Sequence, residues 1–203
     1  MWIVCIDLES VLIPEIWEEI AKKLNVEELK LTTRDIPDFK LLMKKRIEIL
    51  RKNKIRLKKL QNIVKKMKPL KGAFSFLTWL RENFPVIIIS DTFFEFWKYI
   101  SPKLNFPLAL CNNYFEVDKN GFIKNYRRRK SNAKKLIVKK LNELGFKVIA
   151  IGDSFNDISM LKEANVGILF NPTKELNRRF FNLKKVKHYK ELKENLKRIL
   201  KYQ

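Results

Sequence analysis

Four short apolar runs recur along a chain that is otherwise largely amphipathic. Their length and nearly unbroken hydrophobicity are typical of strands buried on both faces of a parallel sheet. Helical patterns separate them, so strand alternates with helix, and this alternation predicts an α/β fold with a parallel sheet flanked by helices. The four runs are "WIVCI" at 2–6, "VIIIS" at 86–90, "VIAIG" at 148–152 and "VGILF" at 166–170.

Three helices are predicted between these strands. The segment 72–84 carries Phe74, Leu77 and Leu80 at helical spacing and follows a break at Pro69 and Gly72. Two further helices precede the third and fourth strands, one over about 131–144 and one in "NDISMLKEA".

Residues 15–71 interrupt the alternation, because they contain no convincing buried strand. They are predicted to form three helices, the first of which has Pro14 at its first turn. We therefore expect a helical cap domain over 15–71, inserted after the first strand of a core domain formed by 1–14 and 72–203. The second interruption, "NYFEVDKNGFIKNYRRR", consists of two β-like runs around "KNG" and predicts a hairpin.

Composition limits the classes of protein that remain. The 203 residues and 46% hydrophobic content suit one domain with a sizeable core. Two cysteines in apolar runs provide no disulfide framework. The apolar run at 2–6 is too short for a signal peptide, and no stretch of about 18 uncharged apolar residues occurs. We therefore expect a cytoplasmic protein with no membrane partner.

The formal net charge of +22 is compatible with nucleic-acid binding or with steering of anionic substrates. Most of the excess is lysine spread along helices, which is typical of solvated helix faces. The exception is the dense arginine cluster "YRRRK" at 126–130. Nucleic-acid binding is therefore kept as a less favoured alternative.

Acidic or hydroxyl residues follow three of the predicted strands. Asp7 ends the first strand, Ser90 and Asp91 end the second, and Asp153 ends the third. Parallel strands open on the same edge of a sheet, where α/β proteins bind their ligands. A single such acid is commonly a turn or capping residue. Clustered carboxylates repel one another unless a cation lies among them, and oxygen ligands favour Mg²⁺.

Four segments resemble the motifs of the haloacid dehalogenase superfamily, and they occur in the family's order. "DLESVL" resembles the first motif and "SDT" at 90–92 the second, while "GDSFND" at 152–157 resembles the fourth and a lysine before it supplies the third. With "TTRDIPD" and "LMKKRIEIL", the sequence is most similar to phosphoserine phosphatases, in particular to those that also transfer phosphate to homoserine. This resemblance implies a Rossmann-like sheet with a helical cap, and a homodimer is compatible with it.

The resemblance implies roles for the residues at the strand ends. Asp7 is the expected nucleophile, Glu9 the general acid and base, and Ser90 a hydrogen-bond donor to phosphate. Asp91 either contacts substrate or caps the next helix, and Asn156 binds phosphate or orients the lysine. The expected Mg²⁺ ligands are Asp7, the main-chain carbonyl of Glu9, Asp153 and, indirectly, Asp157.

The phosphate-binding lysine and the substrate-binding residues of the cap are also implied by resemblance. Lys134 is the preferred lysine, with Lys130 and Lys135 as rivals. In the cap, Arg46 would bind a carboxylate and Glu15 an ammonium group, while hydrophobic side chains close over the substrate, namely Phe39 and Met43. These roles predict a phosphatase of O-phosphoserine, with homoserine as a further acceptor. The alternative is a phosphatase of another small phosphomonoester.

Overall fold

The computed structural model describes residues 1–32, 35–36 and 38–200. Within them, seven strands form one sheet, which runs in the order β4-β3-β2-β1-β5-β6-β7. Neighbouring strands pair in parallel except for β3 and β4, which are antiparallel. The strands are β1 (Trp2–Ile6), β2 (Val86–Phe93), β3 (Ala109–Val117), β4 (Ile123–Arg128), β5 (Lys147–Gly152), β6 (Val166–Phe170) and β7 (Lys184–Val186).

The predicted α/β class is confirmed, and the four apolar runs form the strands β1, β2, β5 and β6. The predicted hairpin is also present as β3 and β4, although β3 begins earlier than its pattern indicated. Its turn is stabilised by the Asp118 carboxylate, which accepts hydrogen bonds from the main-chain N–H groups of Asn120 and Phe122. Gly121 has φ of 83°, a conformation that favours glycine.

Nine α-helices lie in the described residues, and two sequence details differ from the prediction. Pro14 precedes the first helix, which begins at Ile16, and Phe74 is exposed whereas Leu77 and Leu80 are buried. Phe76 occupies the buried face instead, because that face is shifted by a fraction of a turn. The helices are α1 (Ile16–Leu24), α2 (Phe39–Lys52), α3 (Leu57–Val64), α4 (Ala73–Asn83), α5 (Phe94–Ile100), α6 (Ala133–Glu143), α7 (Ile158–Glu163), α8 (Lys174–Arg179) and α9 (Tyr189–Leu200).

Helices α1, α2 and α3 account for the segment that was predicted to be a helical cap. No strand lies in the described part of 15–71. The cap shares one hydrophobic cluster with the sheet, which includes Ile20, Leu50 and Leu60 from the cap and Ile6 and Phe93 from the strands. Burial of this shared apolar surface fixes the cap against the sheet. The division into two domains at these boundaries stays a prediction.

The β3–β4 hairpin also packs against the cap. The main-chain N–H of Leu57, where α3 begins, donates to the Gly121 carbonyl oxygen at 3.0 Å. Arg51 on α2 lies 3.6 Å from the Asp118 carboxylate, and the Phe39 ring is 5.7 Å from that of Tyr126 on β4. The cap therefore contacts the hairpin at one side of the sheet as well as the central strands.

The C-terminal helix returns the chain to the start of the sheet. Tyr189, the first residue of α9, stacks on Phe76 and Phe170 and donates its hydroxyl hydrogen to the Val11 carbonyl oxygen at 2.6 Å. This bond ties the loop after β1 to the end of the chain. Among the described residues, the structure has no helix long and apolar enough to cross a membrane.

Candidate active site

The strand register brings the predicted residues to one edge of the sheet. Ile6 at the end of β1 is aligned with Ile88 on β2 and Ile151 on β5. Asp7 therefore follows the central strand while the polar ends of β2 and β5 lie on either side of it. Its main-chain N–H donates to the Ile151 carbonyl oxygen at 2.9 Å, which extends the pairing to the site.

A buried lysine joins two of these acids. Lys134 Nζ lies 2.7 Å from Asp7 Oδ1 and 2.7 Å from Asp157 Oδ1. Burial acts to lower the pKa of Lys134, but the negative charges of Asp157 and Asp7 outweigh it and hold that pKa well above its ordinary value. The lysine is therefore charged. The two alternative phosphate-binding lysines do not occupy this position. Lys130 is exposed, and Lys135 is exposed and pairs with Glu163.

Asp157 is bound in place by the loop after β5. Its Oδ2 accepts hydrogen bonds from the N–H groups of Asp153 and Ser154 and from the Ser154 hydroxyl. A Cβ on Gly152 would lie 2.5 Å from the Asp157 side chain, so only glycine leaves room for this carboxylate. The "GDSFND" motif therefore combines a helix cap with a fixed acid.

Three carboxylates at this edge have the composition of a site for a hard cation. Asp7, Asp153 and Asp157 are buried and each offers an oxygen atom within 4.8 Å of the others. Burial, followed by the charge of Asp157, raises the pKa of Asp7 to about 7 and that of Asp153 to about 9. One lysine does not neutralise three acids, so a divalent cation with oxygen ligands fits the donor set.

Glu9 and Glu15 add two further acids to the site that Lys134 lines. Glu9 Oε2 accepts a hydrogen bond from the N–H of Ile16 at 2.9 Å, so its carboxylate caps α1. The hydroxyl of Ser10 donates to Glu15 Oε1 at 3.2 Å. Burial, followed by repulsion from Glu15, raises the pKa of Glu9 well above its ordinary value. A raised pKa favours the protonated form of the Glu9 carboxyl, which is the form that a general acid needs.

Arg46 supplies a buried cation on the cap side. Its guanidinium lies 4.3 Å from the centre of the Trp17 ring, and Nη2 donates to the Leu31 carbonyl oxygen at 2.7 Å. Nη1 donates to Met43 Sδ at 3.7 Å, while Nε has no hydrogen-bond partner among the described residues. Burial lowers the pKa of Arg46 to about 10, against the opposing charges of Glu9 and Glu15. A buried N–H without a partner is costly, and an anionic ligand would provide one.

The end of β2 contributes Ser90 and Asp91. Ser90 Oγ is buried and accepts a hydrogen bond from the N–H of Thr92, which leaves its hydroxyl hydrogen available to donate. The alternative that Asp91 caps the next helix is wrong, because α5 begins after Phe93 without a side-chain cap. Asp91 instead accepts a hydrogen bond from Asn112 and pairs with Arg128.

These residues line an open cavity of about 100 Å³. Most residues predicted for the site line it, but Met43 is fully buried in the cap and contacts Arg46 instead. Trp17 and Thr32 also line the cavity, and neither was predicted as a site residue. The sequence gives no signal for Trp17, because a tryptophan on the apolar face of a helix is usually a core residue. The predicted residues that line the cavity are Asp7, Glu9, Glu15, Phe39, Arg46, Ser90, Asp91, Lys134 and Asn156. Part of the "TTRDIPD" motif lies outside the described residues.

The arginine cluster is divided by the alternation of β4 rather than presented as one basic patch. Arg127 is exposed and paired with Glu116, while Arg128 faces Asp91 and the cap. Arg129 lies 5.8 Å from the centre of the Tyr114 ring. Each arginine therefore has a local partner, which weakens the argument for a nucleic-acid surface.

Comparison with known proteins identifies the family. Residues 3–165 match the haloacid dehalogenase-like hydrolases, a segment that contains both the strand-end acids and the cap. The chain belongs to this family. It is also 44% identical over 193 residues to the phosphoserine phosphatase ThrH of Pseudomonas aeruginosa, covering 95% of this chain and 94% of that protein. A phosphoserine phosphatase of Pseudomonas syringae pv. tomato is 42% identical and covers 94% and 80% of the two chains.

Solved structures of hydrolases in this family share the fold. A substrate-bound phosphoserine phosphatase complex superposes with a TM-score of 0.71 at 25% identity and covers 98% of this chain and 97% of its own. A phosphoserine phosphatase with an analogue of the phospho-aspartyl intermediate has the same TM-score and identity, with 87% and 90% covered. The predicted fold and the predicted family are thereby confirmed.

Proposed function

We propose that this protein is a Mg²⁺-dependent phosphoserine phosphatase that works through an aspartyl-phosphate on Asp7. One arrangement carries the proposal: one small cavity is lined by the buried Asp7–Lys134 pair, by the acids Glu9 and Glu15 and by the buried guanidinium of Arg46. Such a cavity offers charges of the right sign to a phosphate, an ammonium and a carboxylate. O-phosphoserine contains all three groups in a small molecule.

The first step transfers the phosphoryl group to the enzyme. The Asp7 carboxylate attacks phosphorus, the bond between phosphorus and the serine oxygen breaks, and Glu9 donates its proton to that oxygen so that serine leaves neutral at its hydroxyl. Lys134 and the Ser90 hydroxyl stabilise the negative charge on the phosphoryl oxygens.

The second step regenerates the enzyme. Glu9, now ionised, accepts a proton from water as the water oxygen attacks phosphorus, and the bond between phosphorus and the Asp7 oxygen breaks to release phosphate. A Mg²⁺ ion bound by Asp7, Asp153 and the Glu9 carbonyl, with Asp157 in support, would supply positive charge that offsets the repulsion between carboxylate and phosphate.

Substrate recognition is assigned to the cap. Within the described part of the chain, one N–H of Arg46 has no partner and could donate to the substrate carboxylate, and a guanidinium can bind a carboxylate through two parallel hydrogen bonds. Glu15 would accept the substrate ammonium. Phe39, which partly covers the cavity beside Tyr126, would exclude water from the bound phosphate.

A second candidate activity is transfer of the phosphoryl group to homoserine. The same aspartyl-phosphate would form, and the hydroxyl of homoserine would replace water in the second step. The similarity to the homoserine-transferring phosphatases favours this activity, and the amino and carboxyl groups of homoserine match those of serine.

We also propose, on the same similarity, that the protein forms a homodimer and is located in the cytoplasm.

Phosphate release from O-phosphoserine tests the proposal, measured with Mg²⁺, with EDTA, and with homoserine added. We expect turnover that EDTA abolishes and that excess Mg²⁺ restores, while phosphohomoserine would indicate the transferase activity. Phosphoethanolamine, which lacks the carboxylate, is the matched control and should be a poorer substrate. No turnover of O-phosphoserine, with turnover of another phosphomonoester, would contradict the assignment of the substrate.

A further inference from the structure

Arg128 contacts two residues that line the cavity, Asp91 and Phe39, and connects three parts of the molecule. It lies near the end of β4, with Nη2 3.4 Å from both carboxylate oxygens of Asp91 on β2. Its guanidinium also lies 4.9 Å from the centre of the Phe39 ring, in the first turn of cap helix α2. The hairpin, the catalytic edge and the cap therefore meet at one side chain.

Asp91 needs a positive partner at this position. It follows Ser90 directly and lines the cavity that would receive a phosphate, so its negative charge opposes the binding of a dianion. Asn112 donates to Asp91 Oδ1 at 2.8 Å, but an amide carries no charge. Among the described residues, Arg128 is the cation paired with this carboxylate by geometry.

The hairpin determines where Arg128 points. The Asn112 side chain also donates to the Lys130 carbonyl oxygen at 2.9 Å, and its Oδ1 accepts from the Lys130 N–H at 3.2 Å. These bonds fix the end of β4 beside Asp91. Arg127, one residue earlier, points to the opposite face and pairs with Glu116 instead.

We propose that Arg128 is a positioning residue that neutralises Asp91 at the mouth of the phosphate site and keeps Phe39 of the cap against it. The inference rests on the phosphatase function proposed above. Arginine suits the role because its planar guanidinium can pair with a carboxylate and stack on an aromatic ring at once, which lysine does less well. The hairpin thereby contributes to the affinity for phosphorylated substrates.

The experiment measures the affinity for inorganic phosphate by calorimetry in the presence of Mg²⁺, together with KM and kcat for O-phosphoserine. The variants are Arg128→Gln, Arg128→Lys, Asp91→Asn and the double variant Asp91→Asn/Arg128→Gln. Arg127→Gln is the matched control, because it removes the same charge from the adjacent position of the same strand. Thermal unfolding of each variant checks that it is folded.

We expect Arg128→Gln to weaken phosphate binding and raise KM by about 5- to 10-fold, since partly exposed pairs contribute modestly, with a smaller change in kcat. The double variant should recover most of this loss, because the charge that Arg128 neutralises is then absent. Arg128→Lys should lose less than Arg128→Gln, and Arg127→Gln should bind phosphate as the wild type does.

Two results would overturn the inference. Equal phosphate affinity in Arg128→Gln and Arg127→Gln would remove any special role of Arg128. A double variant as weak as Arg128→Gln would show that the arginine does not act through Asp91. If the wild type binds phosphate but does not hydrolyse O-phosphoserine, the substrate proposal fails by itself, and the phosphate affinities of the variants still decide the role of Arg128.

Discussion

The sheet edge and the cap contribute to the same cavity in different ways. At the sheet edge, Lys134 is buried between Asp7 and Asp157, and its Nζ lies 2.7 Å from a carboxylate oxygen of each. On the cap side, Arg46 is equally buried, but it donates to a main-chain carbonyl oxygen and has an N–H without a partner among the described residues. The charged groups at the sheet edge are thus paired with one another, whereas the cap keeps a buried N–H donor that is not used within the described residues.

This difference assigns different tasks to the two regions. Parallel strands fixed by main-chain pairing can position a nucleophile and its counter-charge before any substrate arrives, which preorganises the chemical step. The proposed function assigns to the cap the recognition of the part of the substrate that does not react. Changes at the sheet edge should therefore lower kcat, and changes in the cap should raise KM. The following variants test this contrast.

Asp7→Asn is expected to have the largest effect. An amide of the same shape cannot form the aspartyl-phosphate, so kcat should fall by about ten-thousand-fold. Phosphate release under single-turnover and steady-state conditions measures the loss, with Glu28→Gln, an exposed acid far from the strand ends in sequence, as the control. Retention of more than a tenth of the activity would contradict the role of Asp7 as nucleophile.

Lys134→Met should lower kcat by about a hundredfold, because a charge that stabilises the phosphoryl oxygens is removed. It should also reduce the free energy of unfolding by about 3 kcal/mol, since Asp7 and Asp157 lose their buried partner. Kinetics and denaturant unfolding measure both effects. Lys135→Met is the matched control on the same helix, and equal behaviour of the two variants would exclude the special position of Lys134.

Arg46→Lys should raise KM for O-phosphoserine by about 10- to 100-fold, because a bidentate contact with the substrate carboxylate is lost. Its kcat should change far less than in Lys134→Met. Steady-state kinetics with phosphoethanolamine are the control, since this substrate has no carboxylate and its KM should be nearly unchanged. A similar rise in KM for both substrates would indicate a general defect in the cap.

Tyr189→Phe should have the smallest effect, a loss of about 1 kcal/mol in the free energy of unfolding from one hydrogen bond to Val11. Burial raises the pKa of Tyr189 from 10.0 to about 12. The contribution is therefore complete below pH 10 and is lost as the pH rises through about 12. Denaturant unfolding of both proteins at pH 8 and at high pH measures the difference. A constant difference across this range would contradict the assignment.

Prediction from sequence succeeded where local patterns decide the structure. Continuous apolar runs predicted β1, β2, β5 and β6, since strands buried on both faces need no polar alternation. Strand β7 and helix α8 were not predicted, because a three-residue strand and a short polar helix have no periodic pattern. Phe74 was placed on the wrong helix face, since the packing of α4 sets which side is buried.

In the candidate site, too, local sequence patterns predicted some residues correctly, whereas tertiary packing decided others. Motif order and strand ends were enough to name Asp7, Asp153 and the other acids, because residues after parallel strands must lie on one edge. The resemblance favoured Lys134 over Lys130 and Lys135, which are chemically identical to it, and the burial of Lys134 between two carboxylates supports that choice. Met43 was expected near the substrate, but helix packing turns it into the cap core.

The sequence by itself therefore determined the α/β class, the family resemblance and the acids of the sheet edge, since these depend on local order and spacing. Only the tertiary structure decided the partners of the charged groups. The pairing of Arg128 with Asp91 spans 37 residues of sequence and that of Tyr189 with Val11 spans 178. Such contacts depend on where the hairpin and the last helix pack, which no short stretch of sequence specifies.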